Sequence, residues 1–248
     1  MSYPSAPRRT HQIDVVDQVG RAYRAVFDRL QLVVEMALLP FLIVLATVLI
    51  ALLMPGGAFG GVLAGLIHAI GFLFFGAVFI VRWHRFVLLG ETVSDGLIPP
   101  GWKEFVIAGV KLGAIVLVGW IALVLIAALP PQLLTIPLSG IGAVALALMA
   151  LRVSLIFPAA AIGRPIGLQT AWEWVEGNFW RLFVCSFASY FPFVIVQMLI
   201  SALSRMFPSL LAIAFEALRL AVAFIGAAVI AALLSHLYRD IGAAHEAG

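Results

Sequence analysis

The stretch VRWHRFVLLGE, residues 81–91, gathers Arg82, Trp83, His84, Arg85 and Glu91 directly behind an apolar run. An imidazole can ligate a metal or haem or carry a proton, guanidinium groups bind phosphate or carboxylate, and tryptophan favours the headgroup level of a membrane. Other polar side chains lie inside apolar segments: His68, Lys111, Arg152 and Gln197. Ionisable groups in such settings are costly and are functional candidates by default. A shared haem is excluded for His68 and His84. Sixteen residues of helix separate them by about 24 Å at 1.5 Å per residue and turn them to nearly opposite faces. His84 and His236 both fall near one end of their segments, but no ligand spacing joins them. A single cysteine, Cys185, excludes a disulfide or CxxC site. GxSxG, HExxH, Walker A and GxGxxG motifs are all missing from the sequence. No catalytic residue, metal or cofactor is therefore expected.

The elements that must position these groups follow from composition. A soluble domain is about 45–50% apolar and about 25% charged. This chain is 64% apolar and 11% charged, with mean hydropathy +1.14. Only lipid can cover that much apolar surface. Residues 1–29 carry five arginines and three aspartates without an early apolar core or small-residue cleavage site. The first hydrophobic segment is thus expected to remain as a span. The net charge of +3 is assigned to the inner membrane surface rather than to nucleic acid.

A spanning helix needs about 20 mainly apolar residues. The expected fold is all-α, a polytopic bundle with six spans: 30–54, 62–81, 105–129, 133–157, 182–203 and 210–234. PGGAFGG (55–61), PPQ (130–132) and FPS (207–209) supply short outer turns that pair the spans into three hairpins. Thirteen of the fifteen Lys and Arg residues fall on the other side, leaving only Arg205 and Arg219 outside. The positive-inside rule then predicts cytoplasmic termini. Residues 1–29 form a cytoplasmic segment and 239–248 a short tail, flanking a transmembrane domain at 30–238. Two cytoplasmic stretches read as interfacial amphipathic helices. In HQIDVVDQVGRAYRAVFDRLQ (11–31), Ile13, Val16, Tyr23, Phe27 and Leu30 recur at helical spacing. TAWEWVEGNFWRLF (170–183) mixes Trp172, Trp174 and Trp180 with Glu and Arg.

Each pair closes on an arginine: Arg85 in RWHRF, Arg152 in LRVSL and Arg239 in HLYRD. A polar, aromatic re-entry follows the first two, GWKEF and GNFWRLF. This pattern suggests a threefold internal repeat. AWEWVEGNFWRLF after FPAAAIGRP resembles the end-of-pair pattern of a broad superfamily of bacterial six-helix membrane proteins. That superfamily includes the membrane domain of glycerophosphodiester phosphodiesterases and related uncharacterised proteins. The matching positions are Pro158, Ala171, Trp172, Gly177, Asn178, Phe179 and Trp180. The resemblance implies a fold and a membrane setting, and brings no catalytic residues with it.

Two functions remain open. The first is a non-enzymatic inner-membrane protein that meets anionic lipid headgroups, or a membrane-protein partner, at the cytoplasmic leaflet. Its headgroup contacts would be Arg82, Trp83, His84, Arg85, Arg152, Asn178, Trp180 and Arg181. The second is a small transporter or channel for a polar or anionic solute, with Arg152, Lys111, Gln197 and His68 along a route. Glu216 and Arg219, three residues apart, read as an intrahelical pair. Gly61/Gly65 and Gly109/Gly113 match GxxxG and predict close helix packing.

Overall fold

A computed structural model of the chain describes residues 12–53, 57–92, 96–130, 132–207 and 211–246. The residues outside these ranges include parts of all three expected outer turns and the first eleven positions of the N-terminal segment. All regular structure among the described residues is helical. In chain order the helices are α1 (Val15–Phe27), α2 (Leu30–Leu53), α3 (Ala58–Gly71), α4 (Ala77–Leu89), α5 (Trp102–Ala127), α6 (Gln132–Arg152), α7 (Ile156–Ala161), α8 (Leu168–Trp174), α9 (Phe179–Ser204) and α10 (Ala212–Glu246). A π-helical turn, Phe72–Gly76, joins α3 to α4 without a break.

Among the described residues, five helices are long and apolar enough to cross a membrane: Leu30–Ala51, Phe59–Leu89, Trp102–Ala127, Phe179–Ser204 and Ile213–Ala243. Ile136–Arg152 is a shorter apolar helix. Two expected boundaries move. The second segment does not stop at residue 81 but continues through RWHRFVLL to Leu89. It ends at Gly90, whose left-handed φ of 74° lets its N–H close on the Phe86 carbonyl. The last helix runs on to Glu246, so the predicted tail is helical over most of its length.

The fourth segment breaks immediately after Arg152, five residues before Pro158. Proline lacks an N–H and crowds the carbonyl four residues back. The chain answers with two tight turns, Ile156 N to Val153 O and Phe157 N to Ser154 O, both at 3.1 Å, before α7 restarts.

The core lies at one end. Val33, Met36 and Ala37 are buried in the first turns of α2, and Val78, Phe79, Val81 and Trp83 in α4. Leu182 and Cys185 open α9, and Ala228 to Leu237 fill the later half of α10. The short α7 is buried at Ala159, Ala160 and Ala161 and touches α4, α5 and α10. By contrast α5 buries no residue at all. It meets α6 through two reciprocal notches, where Leu146 fills the space beside Gly119 and Leu123 that beside Gly142. The GxxxG expectation is corrected here. Nothing lies within 4 Å of a Cβ built at Gly61, Gly65 or Gly113, and Gly109 meets only Phe157, at 3.8 Å.

Helix α1 forms at the predicted place, capped by the Asp14 carboxylate on the Asp17 N–H at 3.1 Å. Its small residues Ala22 and Ala25, with Gln18 and Val26, face α9 and α10. Val16, 83% exposed, and Phe27, 51% exposed, point away from the bundle. The apolar positions read from spacing therefore split: Val16, Phe27 and Leu30 are exposed, whereas Ile13 is buried and Tyr23 bonds the Ser189 carbonyl of α9.

Candidate functional site

The arginine-bearing end is where the sequence-selected residues converge. Arg85 makes a two-pronged bond to Glu91, with Nε and Nη2 each 2.7 Å from a carboxylate oxygen. Its Nη1 donates to the Ala161 carbonyl at 3.1 Å, at the end of α7. Arg239 on α10 donates to the Val87 carbonyl at the end of α4. Arg152 places its guanidinium 3.8 Å above the Trp172 ring and 5.8 Å from that of Phe179. The three arginines aligned by sequence therefore each reach another helix: Arg85 on α4 the end of α7, Arg152 at the end of α6 the Trp172 ring of α8, and Arg239 on α10 the end of α4.

The glycine of the first re-entry fits this end of the bundle for a reason of space. Gly101 has φ 80°, and a Cβ there would collide with the Ala161 carbonyl that Arg85 also meets. Gly177, before Asn178 in the second re-entry, has the same φ of 80°.

Trp83 and His84 need correction as headgroup contacts. They are 0% and 1% exposed. Because the helix continues past residue 81, both turn inward against α10. The Trp83 indole donates to the Ala228 carbonyl at 2.9 Å. His84 Nδ1 lies 2.7 Å from Ser235 Oγ. The same Ser235 hydroxyl lies 2.8 Å from the Ala231 carbonyl, one turn back on α10. Arg82 stays at the surface, donating to the Gly96 carbonyl at 2.8 Å, with its Nε buried and unpartnered. Arg82, Arg85, Glu91 and Glu35 border a cleft of about 170 Å³ between α2 and α4.

Asn178 and Arg181 open α9 and hold the N-terminal lead-in. Ile13 N–H donates to Asn178 Oδ1 at 3.3 Å, and Arg181 Nη1 donates to the Ile13 carbonyl at 2.7 Å. Trp180, 66% exposed, is the outward tryptophan here. The remaining intramembrane candidates do not meet. His68 Nδ1 faces Thr47 Oγ1 at 3.3 Å on α2. Gln197 donates to the Arg219 carbonyl on α10 at 2.7 Å. Lys111 is on the exposed surface of α5. Glu216 and Arg219 pair within α10 at 2.9 Å. Among the described residues no three His, Cys, Asp or Glu side chains gather as a metal site.

One cluster escaped the sequence reading. Asp240 on α10 accepts from Gln18 Nε2 at 2.6 Å and Arg21 Nη2 at 2.7 Å, fastening α1 to the bundle. Burial opposes the charge on Arg21, but the hydrogen bond and charge of Asp240, with Asp17, outweigh it and raise its pKa. The available signal was Gln18, a polar residue on the small-residue face of an amphipathic helix.

Compared with family models, curated proteins and solved structures, the chain matches none of them.

Proposed function

We propose that the chain is a non-enzymatic, integral bacterial inner-membrane protein that binds anionic lipid headgroups at its cytoplasmic rim. It crosses the membrane six times as three helix pairs, with both termini in the cytoplasm. The observation that carries this reading is the uneven packing: the arginine-rich ends of the helices share a buried core, while their other halves keep large apolar side chains exposed. Lipid is the solvent that suits such surface. For the sixth crossing, α6 has 21 residues, and about 20 suffice for a span. Contacts between α2 and α3, α5 and α6, and α9 and α10 support the pairing. The arginine excess at the core end supports a cytoplasmic placement. The resemblance to the six-helix superfamily belongs to the same proposal.

A solute pathway is the weaker reading. His68, Gln197 and Lys111 occupy separate surfaces, the first two spent on helix–helix bonds, and they line no common route. Extraction in mild detergent followed by native mass spectrometry tests the choice. Retained phosphatidylglycerol or cardiolipin in excess over zwitterionic lipid supports the proposal. A lipid complement that mirrors the bulk membrane, together with solute flux in proteoliposomes that Arg152→Glu abolishes, would replace it with transport.

A further inference from the structure

We propose that the cleft between α5, α6 and α8 holds one acyl chain of an anionic phospholipid, whose phosphate sits on Arg152. The proposal rests on the membrane reading above and gives that reading one defined site. The cleft measures about 260 Å³. Leu112 and Ile115 of α5, Leu146 and Met149 of α6, Val153 just past the end of α6, and Trp172 of α8 line it. Leu146 and Met149, three residues apart, share one face of α6, and Val153 extends that stripe at the helix end, its N–H on the Met149 carbonyl at 3.3 Å. The stripe runs from the middle of the apolar helix toward its arginine-bearing end, where Trp172 stands.

Charge decides what headgroup belongs there. The Arg152 guanidinium carbon lies over the Trp172 ring, 3.8 Å from its centroid. Arg85, Arg181 and Arg239 each reach an oxygen of the protein. Among the described residues Arg152 reaches only the rings of Trp172 and Phe179, and its Nε is buried without an acceptor. A guanidinium over an aromatic ring still carries N–H donors that the ring does not use, and a phosphate receives such donors through two parallel bonds. A free anion would satisfy the charge and leave the apolar cleft empty; a neutral lipid would do the reverse. An anionic phospholipid satisfies both, and the membrane supplies it at this position.

The test uses the full chain in nanodiscs with phosphatidylglycerol or phosphatidylcholine carrying a photoactivatable group near the end of one acyl chain. Phosphatidylglycerol is expected to label peptides of α5 and α6 around Ile115 and Met149 in preference to phosphatidylcholine. Arg152→Gln should cut that preference about fivefold, the worth of one cation near an anionic headgroup, and Arg152→Lys should retain most of it. Ala150→Phe, which fills the cleft from a lining position, should abolish labelling there by both lipids. Equal labelling by the two lipids in the native protein, or an unchanged preference in Arg152→Gln, overturns the site. If phosphatidylglycerol is preferred only at the ends of α4 and α9, this site fails and the rim proposal stands. If no region prefers phosphatidylglycerol, both fail. Should Arg152→Gln not fold, the labelling pattern of the native chain and of Ala150→Phe decides alone.

Discussion

The Trp83 indole on α4 donates to the Ala228 carbonyl on α10 at 2.9 Å, in a place neither residue shares with solvent. This bond makes Trp83 part of the core rather than a membrane anchor. Trp83→Phe keeps most of the buried apolar surface and loses the bond, so it should destabilise the detergent-solubilised protein by about 1 kcal/mol. Trp83→Ala should cost about 3–5 kcal/mol through the cavity it leaves. Thermal unfolding in detergent measures both. An interfacial tryptophan would give no loss in either variant once the bilayer is gone.

Trp83 also marks where sequence reading stops. Hydropathy identifies the apolar helices because length and composition are local properties: each of the five long ones overlaps a predicted span, but only Leu30–Ala51 lies wholly inside one. The three arginine sites are likewise legible, since they stand out in a chain poor in charge, but only Arg152 ends its helix; α4 runs past Arg85 to Leu89 and α10 past Arg239 to Glu246. What Trp83 and His84 face is not local. It depends on Leu89 rather than Val81 ending the helix, on the π-helical turn that rotates everything after Phe72, and on α10 lying alongside. The same limit explains α1. Spacing found its amphipathic character, but which face packs was decided by the close approach that Ala22 and Ala25 permit and by Asp240, more than two hundred residues away.

His84 and Ser235 form the buried polar contact best suited to a double-mutant cycle. Ser235→Ala leaves buried His84 Nδ1 without its hydrogen-bond partner and should cost about 1–3 kcal/mol. Combining it with His84→Leu removes both polar partners, so the pair should be less harmful than the two single losses added together. Unfolding free energies of the four proteins give the coupling directly. Strict additivity would show that the 2.7 Å contact carries no stability of its own.

Two glycines with nearly equal backbone angles should behave differently. Gly90 has φ 74° and nothing within 4 Å of a built Cβ, whereas Gly101 has φ 80° and the Ala161 carbonyl in the way. Gly90→Ala should cost only the left-handed backbone, about 1–2 kcal/mol. Gly101→Ala adds a collision with main chain held by Arg85 and should lower the melting temperature further, or prevent recovery of folded protein. Equal shifts for the two variants would mean that the α7–α5 junction yields easily.

Asp240 fastens α1 by accepting from both Gln18 and Arg21. The Arg21 and Asp240 side chains are 33% and 21% exposed, so water screens part of their attraction and the pair itself is worth about 1 kcal/mol or less. That is small against global stability but large against the undocking of a 13-residue helix, whose remaining hold comes from Ala22, Ala25 and Val26, from the Tyr23 hydroxyl on the Ser189 carbonyl, and from the lead-in bonds at Ile13. Asp240→Asn should therefore speed amide exchange across residues 15–27 while leaving α4 and the middle of α10 protected. Arg21→Gln should act in the same direction and, combined with Asp240→Asn, add little. Hydrogen exchange with mass spectrometry resolves the segments. Uniform acceleration along the whole chain would show instead that α1 and the core unfold as one unit.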